Sequence, residues 1–308
     1  MRFAISIPQD VTDGAFNPNR LRAYLQRAED LGFDSAWVAE QVLSSAPFLG
    51  PIETLTYAAA CTTRLRLGCA MFISPMYSPL HLAKSISSLD QLSRGRLEVG
   101  LATGGRKRMF SAFAVDPTTL VARFVEGLEL MKTVWTEGRV TFKGRFWQLD
   151  NAMMEPKPFQ KPFPPIWFGG SHPDAVRRAV KYATGFFGAG SQTTAQFAEQ
   201  VRVLRSALEE SVTVKNAFPV AKRVYIAVDD DASGVRKRIV DALENRYGYF
   251  GLPNLESVAV SGPPDACAKG LHDVAEAGAE AILLNPLYDD AQQMERLAAE
   301  VIPRVLKI

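Results

Sequence analysis

Residues 63–105 read TRLRLGCAMFISPMYSPLHLAKSISSLDQLSRGRLEVGLATGG. Residues 65–73 form a nearly continuous apolar run, which suits a strand buried on both faces better than a half-exposed antiparallel one. A helix follows, with Leu82, Ile86 and Leu89 on one face, and it ends near Ser93-Arg94-Gly95. Residues 97–102 return as a second apolar strand. The unit is therefore strand–helix–strand. Its loops, ISPMYSP and ATGG, fall at the carboxyl ends of the strands, where parallel α/β folds bind their ligands.

Working outward, the pattern repeats. Strands are expected at 2–7, 35–39, 65–73, 97–102, 166–168, 185–188, 223–228 and 281–284, each followed by at least one helix. The closing helix is expected to run unbroken over 291–306. Between the fourth and fifth strands lies a long excursion. It holds a hairpin at 140–149, turned at Lys143-Gly144, and a proline-rich stretch, EPKPFQKPFPP at 155–165, that suits only an extended surface path. A further short apolar piece at 257–260 has no assigned role. The fold class predicted is α/β, a single (β/α)8 TIM barrel over residues 1–308 with an insertion between strands four and five. An open doubly wound sheet is the alternative, and no GxGxxG follows the first strand to support it.

Composition narrows the function classes. The 308 residues are 47% hydrophobic, as a chain with a sizeable core should be. A net charge of +2, from 35 basic and 33 acidic residues, predicts no nucleic-acid surface. No apolar run approaches the ~18–20 residues that span a bilayer. The N-terminus enters a strand at once, so the expectation is a cytoplasmic protein without a membrane partner. The three cysteines and three histidines are scattered, without disulfide or metal-ligand spacing, which argues against a metal-dependent barrel hydrolase.

Three features of the predicted barrel mouth could carry chemistry. FGGSHPDA, 168–175, has two glycines that open the backbone, a hydroxyl at Ser171, and a helix N-terminus beside them, which together suit a phosphate. The competing reading is an ordinary loop and cap. GAGSQTT, 188–194, supplies donors, or only a cap for the next helix. Glu40-Gln41 is a carboxylate and an amide at a strand end, the position from which barrel catalytic residues project. Around them stand Phe72, Met76, Tyr77, Phe110, Phe168 and Phe187, with few acid–base groups. That composition suits a flat aromatic cofactor that carries the chemistry itself, or plain packing.

The run LGCAMFISPMYSPLHLAKSISSLDQLSRGRLEVGLATGG resembles the signature of the bacterial luciferase-like monooxygenase superfamily. So do FDSAWVAEQ at 33–41, EPKPFQKPFPPIWFGG at 155–170 and YATGFFGAG at 182–190. The resemblance implies a (β/α)8 barrel with FMN or the deazaflavin coenzyme F-420 across its mouth and a small organic molecule as substrate. It implies a third-strand bulge, often with a non-prolyl cis peptide, at Ala70-Met71. Cofactor phosphate would lie at Gly169, Gly170 and Ser171, with Thr103 and Gly104 alongside. Catalytic contacts would come from Glu40 and Gln41, and a homodimer would form through helices two and three. Three departures matter. Gln41 stands where many members have histidine, Gly105 where sugar-phosphate dehydrogenases have glutamate, and Gln192 where those enzymes have a lysine. Glutamine can hydrogen-bond a carbonyl but relays no proton near pH 7. The implied function is an oxidoreductase acting on an apolar substrate, the alternative a cofactor-binding relative without turnover.

Overall fold

The computed structural model describes residues 1–10, 15–43, 47–105, 110–211, 217–231, 234–247 and 255–307. Eleven strands are present among them: β1 Arg2–Ser6, β2 Ser35–Val38, β3 Arg66–Ile73, β4 Leu97–Ala102, β5 Val140–Lys143, β6 Gln148–Ala152, β7 Ile166–Gly169, β8 Gly185–Gly188, β9 Val220–Val228, β10 Ala259–Gly262 and β11 Ala281–Pro286. Eight of them, β1-β2-β3-β4-β7-β8-β9-β11, pair in parallel and close into a barrel through the β1–β11 ladder. The short apolar piece at 257–260, which had no assigned role, gives its last two residues to β10. That strand pairs with Tyr225–Val228 on the edge of β9 whose lower residues, Val220–Lys222, pair with β8.

The helices follow their sequence signals. α1 (Pro18–Asp30) is capped by the Asn17 side chain, which accepts from the N–H groups of Asn19 and Arg20, and it stops before Gly32 at φ +82°. α2 (Pro51–Cys61) and α3 (Pro79–Leu92) begin with proline, where the missing N–H costs least. α4 (Leu120–Thr136) holds the β5–β6 hairpin, because the Glu126 carboxylate accepts from the N–H groups of Arg145, Phe146 and Trp147 at 2.8–3.0 Å. The proline-rich stretch runs extended along α3. Gln91 donates to the Lys157 carbonyl, and Asp90 accepts from the Gln160 backbone and side-chain N–H groups, all at 2.8 Å.

Then come α5 (Pro173–Tyr182), α6 (Thr194–Glu210), α7 (Val235–Tyr247) and α8 (Pro264–Glu276). The closing helix departs from expectation. It is α9 (Asp290–Arg296), a π-helical turn over Leu297–Val301, and α10 (Ile302–Val305). Pro303 cannot donate to the ladder and its ring crowds the carbonyl one turn back, so the wider turn makes room. The irregular insert expected from sequence around Gly251 and Pro253 lies outside the described residues.

Alternation on the strands divides two cores. Phe3, Ile5, Leu67, Val99, Phe168 and Ile226 face the helices, whereas Ala4, Trp37, Trp167, Phe187, Ala221 and Leu283 fill the barrel. The three interior rings pack edge to face, with centroids 5.0–6.3 Å apart. Below them Trp167 Nε1 donates to Glu98 Oε2 at 2.6 Å, and Glu98 Oε1 pairs with Arg66 Nε at 2.5 Å. Two glycines make the indoles fit: a Cβ at Gly68 would lie 2.4 Å from Trp37, and one at Gly185 would lie 2.7 Å from Trp167. Gly68→Ala should therefore lower stability by about 1–3 kcal/mol in denaturant unfolding, as overpacked cores do. An unchanged midpoint would contradict this packing.

Candidate active site at the barrel mouth

The site is built on an irregularity in β3. Cys69 pairs with Val99 and Phe72 with Leu101, so β3 spends one more residue than β4 over the same rise. Within the bulge the Ala70-Met71 peptide is cis. Its neighbours have been cleared for it. A Cβ at Gly100 would lie 2.1 Å from the Cys69 carbonyl oxygen and 2.5 Å from Met71 Sδ, and one at Gly169 would lie 3.0 Å from Met71 Cγ. From across the barrel, Arg223 Nη2 donates to the Ala70 carbonyl at 3.0 Å.

Glu40 braces the same bulge. Its Oε2 accepts the Ile73 N–H at 2.5 Å, and its Oε1 accepts the Tyr77 hydroxyl. Burial raises the Glu40 pKa, while the two hydrogen bonds oppose that rise. Tyr77 is pushed up by burial and by the adjacent carboxylate. The strand end that presents Glu40 is itself fixed by Gln9, which is buried and bonds both the N–H and the carbonyl of Ala39 at 2.7 and 3.0 Å. Gln41 follows, half-buried, at the rim.

The loop after β7 answers the phosphate reading with a division. Gly169 is needed to admit Met71, and Gly170 to admit Ala175, whose Cβ lies 2.6 Å from an added Cβ. Both glycines are thus explained by packing. The α5 N-terminus is capped by His172, whose Nδ1 accepts from Asp174 N–H and whose carbonyl accepts from Ala175 and Val176. What stays open is the exposed Ser171 hydroxyl and the N–H groups of Ser171 and His172, which meet no acceptor among the described residues. Gln200 fixes this loop by donating to the Gly170 and Ser171 carbonyls at 3.1 and 3.2 Å. Thr103 and Gly104 follow β4 directly, beside the end of β3. Gly104 has φ +76°, and a Cβ there would meet Ile73 at 2.7 Å. The rest of that loop, 106–109, lies outside the described residues, as do 11–14 and 44–46.

The aromatic mouth expected from sequence is redistributed. Phe72 and Phe168 point to the helix layer, and Phe110 and Met76 join a separate cluster with Val115 and Leu120. Of the six, only Phe187 fills the barrel, where Trp37 and Trp167 are its partners. A recess of about 20 Å³, room for one water, opens above them between Gln9, Trp37, Phe48, Arg223 and Asn285. A groove of about 950 Å³ adjoins it at Pro8, Asp10 and Asp290 and runs outward between α1 and α9.

A sequence model described as Luciferase-like monooxygenase matches residues 1–281. The chain belongs to that family. It is 24% identical over 94% of its length to the F420-dependent glucose-6-phosphate dehydrogenase of Kineococcus radiotolerans, covering 93% of that protein. With the FMNH(2)-dependent dimethylsulfone monooxygenase of Pseudomonas fluorescens it shares 27% identity over 75% of its own length and 63% of that enzyme's. Matches span from 44% to 95% of the curated relatives' lengths. The crystal structure of monooxygenase RslO1 from Streptomyces bottropensis superposes with a TM-score of 0.85 at 24% identity, over 98% of this chain and 99% of that one, and shares the fold.

Within this family member, two functional candidates escaped sequence reasoning: Lys222 and Arg223 of β9. Lys222 is 2% exposed, and its three N–H groups meet three carbonyls, those of Ala189, Gln192 (3.0 Å) and Arg223 (3.0 Å). It thereby holds the 188–194 loop, which also caps α6 through a Thr193–Gln196 capping box. Gln192, in the position of the relatives' lysine, thus receives an ammonium instead of supplying one. Burial, and then the neighbouring Arg223, push the Lys222 ammonium down to about 7. An unfolded lysine titrates near ~10.4. Between those values the unfolded chain holds a proton that the folded chain does not, so this group makes stability rise with pH, by up to about 1.4 kcal/mol per unit. Urea unfolding at pH 7 and pH 9 should show that rise in the parent relative to Lys222→Met. Parallel pH dependence in the two proteins would refute it.

Proposed function

We propose that this chain is an oxidoreductase that binds F420 or FMN across the barrel mouth and acts on a small, largely apolar organic molecule. One observation carries the reading: a bulge at Ala70-Met71 that Gly100, Gly169, Glu40 and Arg223 all serve, in a chain whose relatives are F420-dependent dehydrogenases and FMNH2-dependent monooxygenases. The residues fit such a cofactor. Ala70 and Met71 offer an apolar platform above Trp37, Trp167 and Phe187. The Ser171 hydroxyl and the Ser171 and His172 N–H groups are donors for its phosphate. Thr103 and Gly104 border the platform on the β4 side.

When bound, the cofactor supplies hydride transfer or oxygen activation. The protein's part is binding, orientation and exclusion of water. Both oxygens of Glu40 are occupied, by Ile73 and Tyr77, so Glu40 positions the platform, and Gln41 orients substrate at the rim by hydrogen bonding. The glucose-6-phosphate of the Kineococcus relative does not suit this mouth. Gly105 leaves open space within 4 Å of an added Cβ, and Gln192 offers no charge. The engagement of Glu40 also favours a second reading, a cofactor-binding relative without turnover. We place the protein in the cytoplasm as a homodimer. Among the described residues no helix is long and apolar enough to cross a membrane.

Titration of the purified protein with FMN and with F420 should give micromolar or tighter binding of one of them, and binding of neither would overturn the proposal. Turnover of the reduced cofactor with oxygen or a carbonyl compound separates the enzyme from the silent binder. Ser171→Asp, which adds like charge at an exposed position without entering the packing, should weaken binding by about tenfold or more. Gly170→Glu would be a poorer probe because of Ala175. Unchanged affinity in Ser171→Asp would move the phosphate elsewhere.

A further inference from the structure

The two open backbone donors of the loop after β7 belong to consecutive peptide groups, and one side chain holds both groups. The peptide between Gly170 and Ser171 carries the Ser171 N–H, and the peptide between Ser171 and His172 carries the His172 N–H. Both are trans and planar, so each N–H points away from its own carbonyl. The carbonyls of these same two groups accept from Gln200 Nε2, at 3.1 and 3.2 Å. Held from behind in this way, the two N–H groups are aimed out of the loop, beside the exposed Ser171 hydroxyl.

Gln200 reaches the loop from the buried face of α6, among Phe197, Val201 and Leu204, and is 5% exposed. Its amide nitrogen has two hydrogens and gives one to each carbonyl, which fixes the end that faces the loop. The other end is left over. Gln200 Oε1 is buried and meets no donor among the described residues. An unpaired buried acceptor is destabilising, and an apolar side chain of similar length would fill the place without one. Packing of α6 therefore does not account for the amide, whereas its grip on the loop does.

Resting on the cofactor reading above, we infer that Gln200 is a positioning residue for the cofactor's phosphate. It acts through the Gly170 and Ser171 carbonyls, holding the Ser171 and His172 N–H groups as a preformed anion clamp. Without that hold the two peptide planes are free to turn, and the ligand has to order them on binding. Either plane turned over would also present a carbonyl oxygen to the phosphate, which repels it. Gln200 thereby selects a cofactor that carries a phosphate here over the same ring and side chain without one.

The test needs no substrate and no turnover. Riboflavin is FMN without its phosphate, and F420 has a corresponding phosphate-free deazaflavin. Dissociation constants for both members of each pair are measured with the parent, Gln200→Met and Gln200→Leu, two apolar replacements of similar volume. The parent should prefer the phosphorylated member of the pair that binds. Each folded variant should lose about tenfold or more of that preference, with affinity for the phosphate-free member unchanged within about twofold. A preference left intact in either folded variant overturns the inference. Equal loss of affinity for both members makes Gln200 a general support of the fold and overturns it too, and in both cases the cofactor reading stands. A parent that binds the two members alike removes the phosphate site and the inference together. A parent that binds neither pair sinks the cofactor reading itself.

Discussion

The bulge in β3 exists because β4 and β7, the next two strands on one side of it, carry no Cβ where it enters the barrel. At Gly100 a methyl group would overlap the Cys69 carbonyl, a backbone atom that cannot move aside as a flexible side chain could. Gly169, on β7 beyond β4, clears the Met71 side chain. Given that space, one extra residue turns inward, and a surface forms at the top of the barrel that an unbroken strand would lack. The floor beneath is bulky and rigid, three edge-packed aromatic rings with their indole N–H groups paired to Ser35 and Glu98. The platform therefore cannot sink, and the space for a ring lies above it.

Around the platform, polar side chains are used as struts. Glu40 ties β2 to the end of β3, Gln9 ties β1 to β2, Gln200 fixes the loop after β7, and Lys222 fixes the loop after β8. Each meets backbone groups that would otherwise lack partners in irregular loops, the places where a barrel has to satisfy its hydrogen bonds without a ladder. The mouth is thus ordered from its flanks before anything binds, and such preorganisation lowers what binding has to supply. Arg223 belongs to this set with one difference: its buried Nε–H meets no acceptor among the described residues.

How much of this could be read from the chain depended on whether the signal was local. The eight barrel strands, the proline-led helices and the strap along α3 follow from apolar runs, caps and prolines, and appear where expected. The bulge position came from the resemblance carried by LGCAMFISP, since nothing in that run alone marks an extra residue. The reasons for Gly68, Gly100, Gly169 and Gly170 were hidden because the atoms that exclude a Cβ lie on other strands or on the following helix. Trp37 and Trp167 were overlooked because both faces of a parallel barrel strand are apolar, so alternation does not say which face is inside. Lys222 lies outside the strand that the sequence pattern marks, from 223; because β9 begins at Val220, the consecutive basic residues point to opposite sides. The long closing helix failed at Pro303, whose local veto was readable but was outweighed by the apolar stripe of Met294, Leu297 and Val301.

The central claim is positional: the cofactor ring rests on the Ala70-Met71 bulge. The direct measurement is a crystal structure of the protein with reduced or oxidised FMN or F420 bound. The ring should stack on the bulge, with its phosphate at Ser171 and His172. A ring seated instead in the wider groove between α1 and α9, with the bulge uncovered, would contradict the account.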